Sequence, residues 1–292
     1  TSGAENVYAI EVDGDFDDCQ AMLKALFADK EFAARAQLSA VNTINWARIV
    51  AQTFYYHAAA AALSAPGPVH FAVPSGNFGD GLAGFVAKRM GAKIGKIILA
   101  TNANDILARA LQTGRYERAA QSKATISPAM DIQVASNFER LVFEALGRDG
   151  EHTRALYDAF AQSGGFDIPA PALAKMRETF AAAAVTDEET AEAMRNYADG
   201  AEGALICPHT AVAWHAVTKL SDADAPPNGP LVTLATAHPA KFPETVEAAA
   251  GARPMLPFRC ADLFAREEKM DALPVDIAAL KAFVQARARA WA

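Results

Sequence analysis

Apolar and polar positions along this chain switch between two spacings, and the switches mark its elements. "VYAIEV" (7–12) reads as a short strand and "DGD" (13–15) as the turn after it. Asp15 is placed to cap a helix with Phe16, Cys19, Leu23, Leu26 and Phe27 on one face. "INWARIVAQTFYYHAAAAAL" (44–63) predicts a long, mostly buried helix. The apolar run "VHFAVP" predicts a buried strand ending at Pro74, and "GLAGFVAKRMG" a helix ended by Gly91. "KIILAT" (96–101) predicts another strand, with a short helix from near Asn104. From about 120 to 200 the strand signal fades. "NFERLVFEAL", "TRALYDAFAQ" and "PALAKMRETFAAA" read as a helical insertion. "GALICPHTAVAWHAVTKL" (203–220) reads as strand, turn and helix, "GPLVTLAT" (229–236) as a strand, and the tail as an amphipathic helix. The alternation predicts an α/β fold, with a mainly parallel sheet covered by helices on both sides.

A chain of 292 residues can bury the core of one large domain or two. Its net charge of −7 offers no basic field to nucleic acid or an anionic membrane. An anionic ligand must therefore be met by a local cluster of donors. Three widely separated cysteines show neither zinc spacing nor a disulfide framework, which fits a reducing, cytoplasmic compartment. The longest apolar patch, "HAAAAALSAP", is too short to span a bilayer. The opening "TSGAENVYAIEVDGD" has no methionine and runs straight into a strand pattern. The expectation is a chain entered partway through a domain, with any upstream targeting signal out of sight.

Ligands of parallel α/β folds gather at the carboxyl ends of strands. Three polar clusters fall at such ends or at helix starts: "VNTINWAR" (41–48), "SGNFGD" (75–80) and "TAHPAK" (236–241). In the second, Gly76 and Gly79 let the backbone turn tightly, and the helix that follows favours a phosphate. It reads equally as a helix-entry turn with Asp80 as the cap and Phe78 as packing. In the first, Asn42, Thr43 and Asn45 surround a helix start, with Arg48 one turn in. Neutral donors with one guanidinium suit an anion, but a cap and a surface arginine would look the same. In the third, Thr236 could simply satisfy backbone groups, and His238 and Lys241 could be solvated. No triad, G-x-S-x-G elbow, H-E-x-x-H or other metal pattern occurs.

Taken together and in order, "DGDFDDCQ", "VNTINWARI", "VPSGNFGD", "SPAMDI", "SNFERL", "PHTAV" and "ATAHPAKF" closely resemble the threonine synthases typical of bacteria and fungi. The resemblance runs from about residue 2 to about 250, and "PSGNFGD" with "TAHPAKF" is its most specific pair. It implies a pyridoxal phosphate (PLP) enzyme of fold type II that turns O-phospho-L-homoserine and water into L-threonine and phosphate. It implies further that Ser75, Gly76, Asn77, Phe78, Gly79 and Asp80 surround the cofactor phosphate and that Thr236 meets the pyridine nitrogen. Asn42, Thr43, Asn45 and Arg48, with Lys241, would lie near the substrate phosphate.

The family's cofactor lysine, in an F-K-D-like segment, and its T-S-G-D-T-G-like loop have no counterpart here. The resemblance therefore expects the Schiff-base lysine, and the N-terminal part of the fold, upstream of Thr1. Residues 1–41 would close a smaller α/β domain, and 42–292 would form the large cofactor-binding domain with a helical insertion around 120–200. Thr43 stands where serine is commoner, and Cys207 where an aspartate often precedes "PHTAV". "SPAMDI" carries no assignable chemistry. Two other readings stay open: a related phospho-lyase on the same substrate, and a non-catalytic module for a phosphate ligand. No metal, nucleic-acid or membrane partner is expected.

Overall fold

A computed structural model describes residues 4–14, 16–200 and 203–288; Asp15, the expected cap of the first helix, lies outside the described residues. In chain order the first elements are β1 (Ala9–Val12), α1 (Phe16–Ala28), α2 (Lys30–Arg35), α3 (Trp46–Leu63), β2 (Val69–Pro74), α4 (Gly79–Arg89) and β3 (Ile94–Thr101). There follow α5 (Ile106–Thr113), β4 (Arg115–Glu117), α6 (Phe138–Ala145), α7 (Gly150–Ser163), β5 (Gly165–Asp167), α8 (Ala170–Thr179) and β6 (Phe180–Ala184). The last are α9 (Asp187–Ala198), α10 (Pro208–Ala216), β7 (Leu231–Thr233), α11 (Pro243–Ala250), β8 (Met270–Leu273) and α12 (Ile277–Arg287).

The chain forms two compact units, residues 1–40 with 256–292 and residues 41–255. In the first, β1 and β8 pair in parallel from Ala9–Met270 to Val12–Leu273. Lys281 of α12 bonds Asp29, the residue that also caps α2 through the Phe32 N–H. The tail thus folds with the amino-terminal segment, whereas the sequence reading attached it to the larger part. Pairing across such a distance leaves no trace in local periodicity.

The second unit is built on a four-stranded parallel sheet in the order β6-β3-β2-β7. Successive side chains of a strand point to opposite faces. Phe71, Val73, Ile97 and Leu99 enter one core with Tyr56, Phe78 and Leu82. Ala72, Ile98, Ala100, Ala181 and Ala183 enter the other with Val212, Ala213 and Ala216 of α10. Small residues on that face let α10 lie close to the strands. Helices cover both faces, as the alternation predicts.

Three sequence expectations change. The "FAAA" of 180–183, read as the end of a helix, belongs to β6, so strands do occur within the supposed helical insertion. Alanine favours helix in isolation. Here the edge of β3 takes the segment in register, from Ile97–Phe180 to Thr101–Ala184, and the Gln112 amide donates to the Ala182 carbonyl. Residues 203–207, read as a strand, have no regular structure. α3 is not mostly buried: it sinks only Ile49, Thr53 and Tyr56, spaced along one face, and leaves Phe54 74% exposed. Among the described residues no helix is long and apolar enough to cross a membrane, and no group of His, Cys, Asp or Glu could hold a metal.

Candidate active site

The loop after β2 takes its shape from the sheet beneath it. The Ser75 N–H donates to the Ala100 carbonyl at 2.8 Å, continuing the β2–β3 pairing. Ser75 is only 3% exposed, and its Oγ has no hydrogen-bond partner among the described residues. Phe78 precedes α4 with φ +62°, an unfavourable left-handed setting for a bulky residue. Its ring lies edge-on to Phe138 and Phe180, at centroid distances of 5.8 and 5.4 Å, and burial there offsets the backbone cost. Phe78 supplies no capping side chain. The first N–H groups of α4 lack intrahelical acceptors and stay available at the positive end of the helix.

The two glycines serve close approach. A Cβ on Gly76 would lie 3.2 Å from the Ala129 oxygen and the Met130 Cα, and one on Gly79 would lie 2.6 Å from Thr43 Cγ2. The Asp80 carboxylate does not cap α4: it accepts the hydroxyls of Tyr55 and Tyr56, and Tyr56 also bonds the Asp80 carbonyl at 2.9 Å. Burial raises the Asp80 pKa against these two hydrogen bonds, and burial with the nearby carboxylate raises both tyrosines. With its carboxylate engaged by the two tyrosines, Asp80 offers the loop its main-chain N–H.

"SPAMDI", opaque in the sequence, is the wall behind Gly76. Asp131 accepts from Asn102 (2.7 Å), Asn104 (3.0 Å) and Thr125 (2.7 Å). Asn102 and Asn104 are buried at the end of β3, so the sheet fixes the 3₁₀ turn Pro128–Met130. His209, buried in α10, accepts the Ala129 N–H through Nε2 at 3.2 Å, while its Nδ1 is buried without a partner. Burial, assisted by Lys241 and opposed by Asp131, lowers its pKa to about 4. Its ring lies 4.8 Å from Phe242, whose neighbour is Lys241. Cys207 caps α10 by accepting the Thr210 N–H at 3.4 Å, a function an aspartate would share.

Residues 41–48 are mainly exposed. Asn42 accepts the Ile44 N–H, and Asn45, not Asn42 or Thr43, caps α3 through the Ala47 N–H. Arg48 spends one N–H on the Val41 carbonyl at 3.1 Å. Thr43 reaches the other loop, its methyl against Gly79 and its hydroxyl bonded to Asn137. Thr236, exposed, follows β7, which runs beside β2 in register Ala72–Thr233. Loop 75–80, Thr43 and Asn137 are therefore joined by contacts, and Thr236 follows the strand beside β2. No contact joins Arg48 or Lys241 to that loop among the described residues. Sequence reasoning missed Asn137 and Arg140 as individual site residues. "SNFERL" was the available signal, but their partners lie far away along the chain.

A parallel sheet flanked by helices, with polar loops at its carboxyl edge, places the protein among α/β proteins that hold ligands at strand ends. A family model described as "Threonine synthase, C-terminal" matches residues 210–284. Threonine synthase of Pseudomonas aeruginosa is 45% identical over 282 residues, which cover 96% of this chain and 59% of that protein. The Saccharomyces cerevisiae enzyme is 41% identical over 257 residues, covering 83% and 50%. The crystal structure of PLP-bound threonine synthase from Brucella melitensis matches with a TM-score of 0.90 at 46% identity, over 99% of this chain and 61% of that one. The yeast structure matches with 0.85 at 36%, over 98% and 60%. The chain is a homologue of threonine synthase and corresponds to a portion of it, about three-fifths of its length in the Pseudomonas and Brucella proteins.

Proposed function

We propose that the protein carrying this sequence is a PLP-dependent threonine synthase, which converts O-phospho-L-homoserine and water into L-threonine and phosphate. The observation that carries the reading is the buried, unpartnered Ser75 hydroxyl beside the uncapped start of α4. A phosphate group fits that donor set: main-chain N–H groups, a hydroxyl and a helix dipole, with the Asp80 carboxylate held by two tyrosines.

Ser75, the main chain of Gly76–Asp80 and the side chain of Asn77 would hold the cofactor phosphate, and Thr236 would meet the ring nitrogen. A neutral hydroxyl there leaves the ring less protonated than a carboxylate would. PLP, when bound, supplies an electron sink for proton removal near the substrate amino group. Asn42, Thr43, Asn45 and Arg48, with Lys241, would orient the substrate phosphate. Arg48 has guanidinium N–H groups left beyond its bond to Val41, and these would stabilise the charge of the departing phosphate.

The test is an assay of the complete protein with PLP and O-phospho-L-homoserine. Equal release of phosphate and L-threonine is expected. Equal release of phosphate and 2-oxobutyrate would replace the reading with a phospho-lyase, and no turnover with a phosphate ligand bound would leave a binding module.

A further inference from the structure

Asn137 and Arg140 stand between the two candidate phosphate loops. The buried Asn137 amide donates both to Thr43 Oγ1 at 2.8 Å and to the Asn77 carbonyl at 3.0 Å, and its main-chain N–H reaches the same carbonyl at 3.2 Å. One turn on, Arg140 donates to Asn137 Oδ1 (2.6 Å), the Thr43 carbonyl (2.9 Å) and the Ile44 carbonyl (3.0 Å). Its guanidinium also lies 5.8 Å from the centre of the Trp46 ring, at the start of α3. The planar fork presents its N–H groups in one fixed geometry that matches these three acceptors, whereas a lysine ammonium is a rotatable point charge on a flexible stem. The Thr43 turn therefore cannot shift without pulling on Asn137, and through it on Asn77.

We propose that Asn137 and Arg140 are positioning residues that lock the substrate-phosphate loop (42–48) to the cofactor-phosphate loop (75–80), so that the exposed loop takes its place from the core-held one and its displacement is felt at Asn77. The assignment of ligands to the two loops rests on the function proposed above. The bonds themselves do not. Arg140 serves through the carbonyls it holds, not by contact with the reacting atoms. It also lines, with Asn137, Ser136 and Ile44, a cavity of about 590 Å³, through which a small cation could reach its place.

The experiment uses the complete protein and reads PLP affinity by absorbance titration without substrate, together with KM and kcat. Arg140→Ala should weaken PLP binding and raise KM together, each by about tenfold, as expected for the loss of charge-assisted hydrogen bonds, with kcat less affected. Millimolar guanidinium should restore part of both losses, which it would not do for a general loss of folding. Arg140→Lys should recover less than guanidinium does. If Arg140→Ala fails to fold, Thr43→Val decides. It keeps the methyl group on Gly79 but removes the acceptor for Asn137, and should move both quantities in the same direction by a smaller factor. Unchanged PLP affinity and KM in the variants would overturn the proposal. So would a rise in KM alone, which would make Arg140 a direct substrate contact. A wild-type protein that binds no PLP would remove the functional reading and this coupling together, whereas failure of the variants alone would remove only the coupling.

Discussion

Loops 75–80 and 41–48 are both short, polar and rich in donors, yet they are held in opposite ways. The first grows out of a fully buried strand, is pinned to β3 through Ser75, and carries a ring wedged between two others. The second is mainly exposed and borrows its shape from Arg140 and Asn137 at its side. A loop at a strand end inherits precision from the core. One at a helix start must be given it by side chains. Damage to the first should therefore be read as lost stability, and damage to the second as lost binding.

The largest expected effect is on the buried side. Phe78→Ala should lower the unfolding free energy in urea by about 4 kcal/mol, because a buried ring is removed from close packing while the Cβ that strains the backbone stays. A loss below about 1 kcal/mol would show that the loop does not depend on the core. On the exposed side, Arg48→Ala should leave the urea midpoint unchanged and reduce kcat/KM by about 3 kcal/mol in transition-state terms. PLP should be retained, and unchanged kinetics would make Arg48 an ordinary surface residue.

The wall behind the first loop should also respond to acid. His209 is held neutral with its pKa lowered to about 4, because protonating Nε2 would turn a hydrogen against the Ala129 N–H in a buried site. The unfolded chain takes up this proton near pH 6.5 and the folded one only near 4. The contribution of His209 is therefore complete above about pH 6.5 and is lost as pH falls toward 4, by about 2 kcal/mol once solvent screening is allowed for. Asp80, whose raised pKa works in the opposite sense, stays in both proteins when the wild type is compared with His209→Asn. That difference should vary with pH, and parallel curves would dismiss the effect. The smallest change is Asn45→Ala, which removes the cap of α3 and should cost about 1 kcal/mol in the same urea assay, with no pH dependence.

Much of the first loop was legible in the sequence, because a buried strand, two glycines and an amphipathic helix are local patterns. The reason for the glycines was not. Each makes room for a segment remote in sequence, Ala129–Met130 for Gly76 and Thr43 for Gly79. β6 was hidden because five residues of which four are alanine carry no period of two, and only the edge of β3 makes them a strand. "INWAR" marks a helix start, but the alanines of α3 carry no sign of burial: Ala47 and Ala51 face solvent. Asn137 and Arg140 looked like ordinary polar positions of an amphipathic helix. Their importance exists only once residues 43, 44 and 77 are brought to them.

The strand order of the central sheet bears on how the site comes into being. Phe71 pairs with Ile97 across the shortest connection, Ile97 with Phe180 across a longer one, and Phe71 with Val232 across the longest. Each contact must be reached before it can reward the chain for the freedom lost, and distant pairings are reached slowly. The sheet is therefore expected to assemble from its middle outward, with β7 added last. In pulse-labelled exchange during refolding, the Leu234 amide, bonded to the Ala72 carbonyl at 3.0 Å, should become protected after the amides that join β2 to β3. A chain caught before that moment would already have the loop that starts α4, but not yet the strand that Thr236 follows.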